Sequence, residues 1–167
     1  MKLLTVAALL SAMMALTSAG EATSEAEGTM PPVKSRLVKR SSGCPHGWTE
    51  EGNRCFRYIP KRLSWARAER NCLSMGGHLA SVRNHQEEHV IRELSGYRHA
   101  WIGGTDAPQE NFWFWSDGTP FYYSNWCPGE PNNTFLQHCL QINYRGAKCW
   151  DDLWCSSLLP SVCVRRM

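Results

Sequence analysis

Five side chains in the last third of the chain are of a kind and spacing that could hold a hard cation. Glu130-Pro131-Asn132 is followed by Gln137, just before Cys139, and then by Asp151-Asp152 directly after Trp150. Ca2+ takes six to eight oxygen donors at about 2.3–2.6 Å, from carboxylates and amide carbonyls. Glu130, Asn132, Gln137, Asp151 and Asp152 supply both kinds, with three formal negative charges among them. A proline between two ligands suits a cis peptide, which turns Glu130 and Asn132 to the same side of the loop, and cis is costly except before proline. Five donors leave one or two positions open, which adjacent hydroxyls of a sugar can fill. The competing reading is a polar turn, where Glu, Pro and Asn are common anyway.

A second pattern, His85-Gln86-Glu87-Glu88-His89, matches the H-x-x-E-H arrangement of inverted zinc peptidases. It reads better as a solvated helix face. The helix is short, both histidines lie opposite Val90, Ile91 and Leu94, and a catalytic zinc needs a third protein ligand that no other helix offers. There is no Gly-rich phosphate loop, G-x-S-x-G elbow or Cys-His nucleophile pair, so the chain is not expected to be an enzyme.

The elements that must position the loop come from a small, stapled domain. The chain has 167 residues, 18 Lys plus Arg against 15 Asp plus Glu, 43% hydrophobic and 20% charged residues. These values exclude a disordered chain, a collagenous one and a multi-span membrane protein. A net charge of +3, with no basic run longer than Lys39-Arg40 or Arg165-Arg166, excludes a nucleic-acid partner. All eight cysteines lie beyond residue 43, an even number that points to disulfides; zinc is disfavoured because the closest pair, Cys149 and Cys155, has no knuckle spacing. A first helix is expected from Ser64, burying Trp65, Ala68, Cys72 and Met75 and stopping at Gly76-Gly77. A second starts at Asn84 with Glu87 three residues on, buries Val90, Ile91 and Leu94, and ends at Gly96. Trp101–Gly104, Trp113–Trp115, Cys139–Tyr144 and Ser161–Arg165 read as strands, and Trp126–Gln137 as a loop.

The N-terminus accounts for the cysteines. Residues 1–19 carry Lys2, an apolar run from Leu3 to Leu16 and the small residues Thr17-Ser18-Ala19, which is the pattern of a secretory signal peptide and too short for a membrane span. Secretion supplies the oxidising compartment that disulfides need. Residues 20–40 have no hydrophobic period and end in the dibasic Lys39-Arg40, so they read as a pro-segment cleaved before Ser41. Residues 41–167 then form a 127-residue domain with 13 Lys plus Arg and 12 Asp plus Glu, close to neutral.

With these pieces in place the sequence resembles a C-type lectin-like domain. The resemblance runs from Cys44 to Cys163 and rests on Cys44-Pro-His-Gly-Trp48, Trp101-Ile-Gly-Gly104, Trp115-Ser-Asp-Gly118, Trp126 before the Glu-Pro-Asn loop, Trp150-Asp-Asp152 and the late cysteines. It implies an α+β double-loop fold, with two helices flanking small antiparallel sheets and disulfides Cys44–Cys55, Cys72–Cys163, Cys139–Cys155 and Cys127–Cys149. The last would clamp the long loop beside the calcium ligands. Among subgroups the chain is most similar to fish lectins and type II fish antifreeze proteins, which share Trp126-Cys127 and the run Lys148 to Asp152.

The departures from the family pattern carry information. Sugar-binding members have Glu where Gln137 stands and Asn where Asp151 stands, so one negative charge is lost and regained and the site keeps three. Calcium binding is therefore expected to survive. Glu-Pro-Asn goes in the family with mannose-type sugars, and Gln-Pro-Asp with galactose. Of the family's auxiliary calcium site only Asp106 and Glu110 remain, because Asn133 and His138 stand where carboxylates belong; that site is not expected. The antifreeze relatives carry a fifth disulfide between positions corresponding to Ala107 and His138, and neither is cysteine here. Of their ice-facing threonines Thr134 is kept and Leu136 replaces another.

The expected function is that of a secreted, calcium-dependent lectin that captures terminal glycans on cells or microbes, a role in innate recognition. Glu130, Asn132, Gln137, Asp151 and Asp152 would hold the ion, and Glu130, Asn132, Gln137 and Asp151 would meet the sugar. Ice binding is the first alternative and a non-sugar protein-interaction module the second. Trp113 and Trp115 could stack on sugar but are expected in the core. Asn132-Asn133-Thr134 is an N-glycosylation acceptor on a ligand position and is expected to stay unmodified.

Overall fold

The computed structural model describes residues 43–167; the expected signal peptide, pro-segment and Arg40 cleavage site lie outside the described residues. Strand β1 (Thr49–Glu51) turns at Gly52-Asn53 into β2 (Arg54–Leu63), helix α1 (Trp65–Ser74) leads into β3 (His78–Leu79), and α2 (His85–Leu94) leads into β4 (Ala100–Thr105). Beyond the short β5 (Phe114–Trp115) the chain runs irregularly to β6 (Cys139–Tyr144), β7 (Cys149–Leu153) and β8 (Leu159–Arg166). The path through the sheet is β1-β2-β8-β4-β6-β7, with β3 on β8 and β5 on β4. Every pairing is antiparallel except β4 with β8, which meet at Trp101 and Ser161. Two small antiparallel sheets are thus joined along one parallel seam, and the two helices flank them, as the α+β expectation requires.

Both helices start where the sequence placed them, for different local reasons. Asn84 accepts the N–H of Glu87 at 3.0 Å, a true N-cap. Ser64 occupies the cap position of α1 with extended backbone but its side chain makes no capping bond. There Trp65 helps to hold the end instead, donating its indole N–H to the carbonyl of Ile102 at 2.9 Å. Gly76-Gly77 ends α1 for two steric reasons: Gly76 has a φ of +76°, and a Cβ on Gly77 would lie 2.3 Å from the carbonyl oxygen of Val164.

Two apolar clusters fill the interior. Phe56, Ile91, Ile102, Leu140, Ile142 and Trp150 centre one, and Ala68, Cys72, Leu79, Trp101 and Cys163 the other, beneath α1. Each large side chain buried in this way contributes roughly 1.5–3 kcal/mol. Trp115 is buried and Trp113 half-buried against Trp126, at a ring separation of 4.7 Å. All four disulfides form with the implied pairing, Cys44–Cys55, Cys72–Cys163, Cys127–Cys149 and Cys139–Cys155. The hairpin of β1 and β2 was not apparent from the sequence, because neither strand alternates cleanly between polar and apolar.

The long irregular excursion is closed at its neck. Thr105 at the end of β4 and Cys139 at the start of β6 are register partners. Two bonds to the carbonyl of His138 reinforce the closure, from the Thr105 hydroxyl at 2.6 Å and the Asp106 N–H at 3.2 Å. The excursion from Asp106 to His138 thus leaves and re-enters the sheet at one neck, touching it again through β5 on β4.

Candidate metal and ligand site

The outer end of this excursion is stitched to β7. The N–H of Trp150 donates to the carbonyl of Asn125 at 2.8 Å, and the N–H of Cys127 to the carbonyl of Trp150 at 2.9 Å. The Cys127–Cys149 disulfide fixes the same two segments covalently. Asp151 and Asp152 follow immediately, buried in β7 opposite Gln141 and Leu140 of β6.

On this frame the Glu130–Pro131 peptide is cis, and Asn132 Nδ2 donates to Glu130 Oε2 at 2.5 Å. Asp152 shapes the loop from below: its two oxygens accept the N–H groups of Asn132 at 3.0 Å and Asn133 at 2.7 Å. Carboxylate oxygens of Glu130, Asp151 and Asp152 lie within 4.8 Å of one another, the sole such cluster among the described residues. Four of the five expected ligands are therefore gathered. Gln137 is buried two residues before β6 and has no side-chain hydrogen bond to the other four among the described residues.

The electrostatics of the cluster are those of a site short of positive charge. The Asp151 carboxyl is pushed up to about 6, first by burial and also by the charges of Glu130 and Asp152, while Gln141 opposes the shift by donating from Nε2 at 2.6 Å. The nearest cation is Arg145, on the turn after β6, whose Nη2 lies 3.7 Å from Glu130 Oε1. Its side chain is more than half exposed, so it offsets little of the repulsion. Three carboxylates with oxygens within 4.8 Å of one another, and the Asn132 amide beside Glu130, form a set that suits a hard divalent ion.

The rim of the site differs from its floor. Asn133, Phe135 and Leu136 all have positive φ, and Phe135 and Leu136 are 81% and 74% exposed. The indole N–H of Trp154 donates to the carbonyl of Phe135 at 2.8 Å and ties this tip to the strand side. Thr134 is exposed beside them. Asp106, by contrast, is consumed internally: it bonds His138 Nδ1 at 2.8 Å and accepts the N–H of Asn111 at 2.9 Å.

The H-x-x-E-H residues are divided between two surroundings. His85 and His89 are exposed, while Glu88 points inward and accepts from the indole of Trp150, Nδ2 of Asn125, the hydroxyl of Tyr123 and Arg92. Glu87 is also buried, against Arg54 and Arg83. Sequence reasoning missed both carboxylates as interior residues. The signal that could have found them is their i,i+4 and i,i+3 spacing from Ile91.

Residues 61–165 match the Lectin C-type domain. The chain is 39% identical over 162 residues to a type-2 ice-structuring protein of Hemitripterus americanus, covering 97% of this chain and 98% of the relative. It is 40% identical over 135 residues to the galactose-specific lectin nattectin of Thalassophryne nattereri, covering 77% and 84%. A solved calcium-independent type II antifreeze protein superposes with a TM-score of 0.70 at 39% identity, covering 74% of this chain and 95% of that one.

Proposed function

Because the chain belongs to the C-type lectin domain family, we propose that it is a secreted, calcium-dependent carbohydrate-binding protein and not an enzyme. The convergence of Glu130, Asp151 and Asp152, with Asn132 held against Glu130, is the observation that carries this reading. In it, Glu130, Asn132, Gln137, Asp151 and Asp152 hold Ca2+, and Glu130, Asn132, Gln137 and Asp151 also face the sugar. The bound ion supplies coordination positions that two adjacent sugar hydroxyls can take. This chain's own part is to pre-organise the donors. Asp152 fixes the backbone at residues 132 and 133, the Cys127–Cys149 clamp fixes the loop entry, and Gln141 orients Asp151.

Glu-Pro-Asn favours a mannose-type sugar as the ligand class, in contrast to the galactose-specific relative. Secretion, with residues 1–19 as signal peptide, 20–40 as pro-segment and 41–167 as the domain, is supported by the N-terminal pattern and by four disulfides. No helix among the described residues is long and apolar enough to cross a membrane. Terminal glycans on cells or microbes are the proposed partners.

Ice binding is the second reading, favoured by the near full-length match to an ice-structuring protein. Retention on mannose, galactose or lactose resin with release by EDTA supports the lectin. Thermal hysteresis in a freezing assay, without retention on any resin, replaces it with the antifreeze reading.

A further inference from the structure

Away from the carboxylate loop, a cavity of about 350 Å3 opens between the α1–β3 turn and the end of β8. Four arginines line it, Arg54, Arg83, Arg165 and Arg166, against one lining carboxylate, Asp117. Arg54 and Arg166 are direct cross-strand partners in the β2–β8 ladder, where like charges repel. The available anions do not balance them. Glu87 serves both Arg54 and Arg83, which leaves one carboxylate for two guanidiniums. Asp117 lies 3.8 Å from Arg54, but its oxygens already accept from the Ser81 hydroxyl and from the N–H and hydroxyl of Thr119. Arg165 and Arg166 form no ion pair among the described residues.

Two positive charges in excess thus face a concave space. Arg165 is held in place against Gly76 and by donation to the carbonyl of Met75 at 3.3 Å, with its guanidinium 5.9 Å from the ring centre of Trp48. Arg166 is exposed at the cavity edge. Guanidinium forks match tetrahedral oxyanions by paired N–H donation, and a phosphate monoester carries nearly two negative charges. The volume lies in the range of small-molecule sites.

We propose that this cavity binds a small sulfate or phosphate monoester, through Arg165 and Arg166, independently of the calcium loop. In the sheet path β4 and β6 lie between β8 and β7, so the two places are on different parts of the frame.

Calorimetric titration of the secreted protein in EDTA, at ionic strength fixed with NaCl, tests the proposal with glucose 6-phosphate, glucose 6-sulfate and glucose. One-site saturable binding of an ester is expected, with none of glucose, and the tighter ester identifies which group the site takes. Arg165→Ser combined with Arg166→Ser should weaken binding at least tenfold with an unchanged circular dichroism spectrum, whereas Lys61→Ser, outside the cavity, should leave it intact. Absence of saturable heat with both esters overturns the proposal. So does unchanged affinity in the double variant, or equal weakening by Lys61→Ser.

Discussion

The indole N–H of Trp150 donates to Glu88 Oε1 at 2.9 Å, so the residue just before the paired aspartates is anchored to helix α2 inside the protein. The same carboxylate accepts from Tyr123 and Asn125 at the entry of the loop and from Arg92 one helical turn on. One buried charge therefore sets the relative position of a helix, a loop and a strand. Unlike the proposed calcium donors, it faces the protein interior.

Replacing Glu88 with Ala strands those donors and removes the partner of Arg92, whose side chain is half-buried. Leaving a buried donor such as the Trp150 indole unsatisfied costs about 1–3 kcal/mol. Urea unfolding of Glu88→Ala should show a loss of that size, and calcium titration should show weaker binding through displacement of Trp150. A variant with wild-type stability would mean that the network is redundant.

Asp151 predicts an inverted pH response in the calcium-free protein. Its folded-state pKa is raised to about 6 from an ordinary value of 3.8, chiefly by burial, so the folded state holds the proton more tightly than the unfolded one. Its contribution to stability accordingly falls as pH rises from about 4 to about 6, and the penalty is complete at neutrality. Asp151→Asn should stabilise the protein in EDTA at pH 7 by about 1–2 kcal/mol once partial solvation is allowed for, read as a higher melting temperature. It should also abolish the rise that Ca2+ gives the wild type.

Glu87 works in the opposite direction. Burial alone would raise its pKa, but bonds from Arg54 and Arg83 overcome that and hold it below 4.5. A depressed carboxyl contributes stability that is complete above its unfolded value and is lost as pH falls through its folded value. Acid denaturation followed by circular dichroism should therefore be shifted to a higher midpoint pH by Arg54→Met. Glu87→Gln should flatten the acid limb of the wild-type curve.

Asn132 offers a prediction by mass alone. Its Nδ2 is committed to Glu130 and its Oδ1 accepts the N–H of Thr134 at 2.8 Å, so a glycan on that nitrogen would crowd the site it helps to build. The intact mass of the secreted protein should be unchanged by glycosidase treatment. A full N-glycan at Asn132 would argue against its role as a ligand.

Local rules made some of this legible and tertiary contacts hid the rest. Asn84, Gly76 and Gly77 announce helix ends because capping and steric exclusion are short-range, and Cys139–Tyr144 is apolar enough to read as a strand. The five oxygen donors stood out because hard-ion chemistry is written in residue type. Glu87 and Glu88 looked like solvated charges, since their partners Arg54 and Trp150 lie 33 and 62 residues away. The strand character of Trp150-Asp151-Asp152 was hidden too, because residues buried on both faces show no alternation.

The neck at Thr105 and Cys139 gives the frame a tolerance that its ligand residues lack. Because the excursion departs and returns through adjoining strands, changes at its exposed tip, Asn132 to Leu136, leave the ladder, the helices and three of the disulfides as they were. Such a region can exchange one kind of target for another without renegotiating how the chain folds. A sugar-gripping loop and an ice-facing one are then alternative occupants of a single socket.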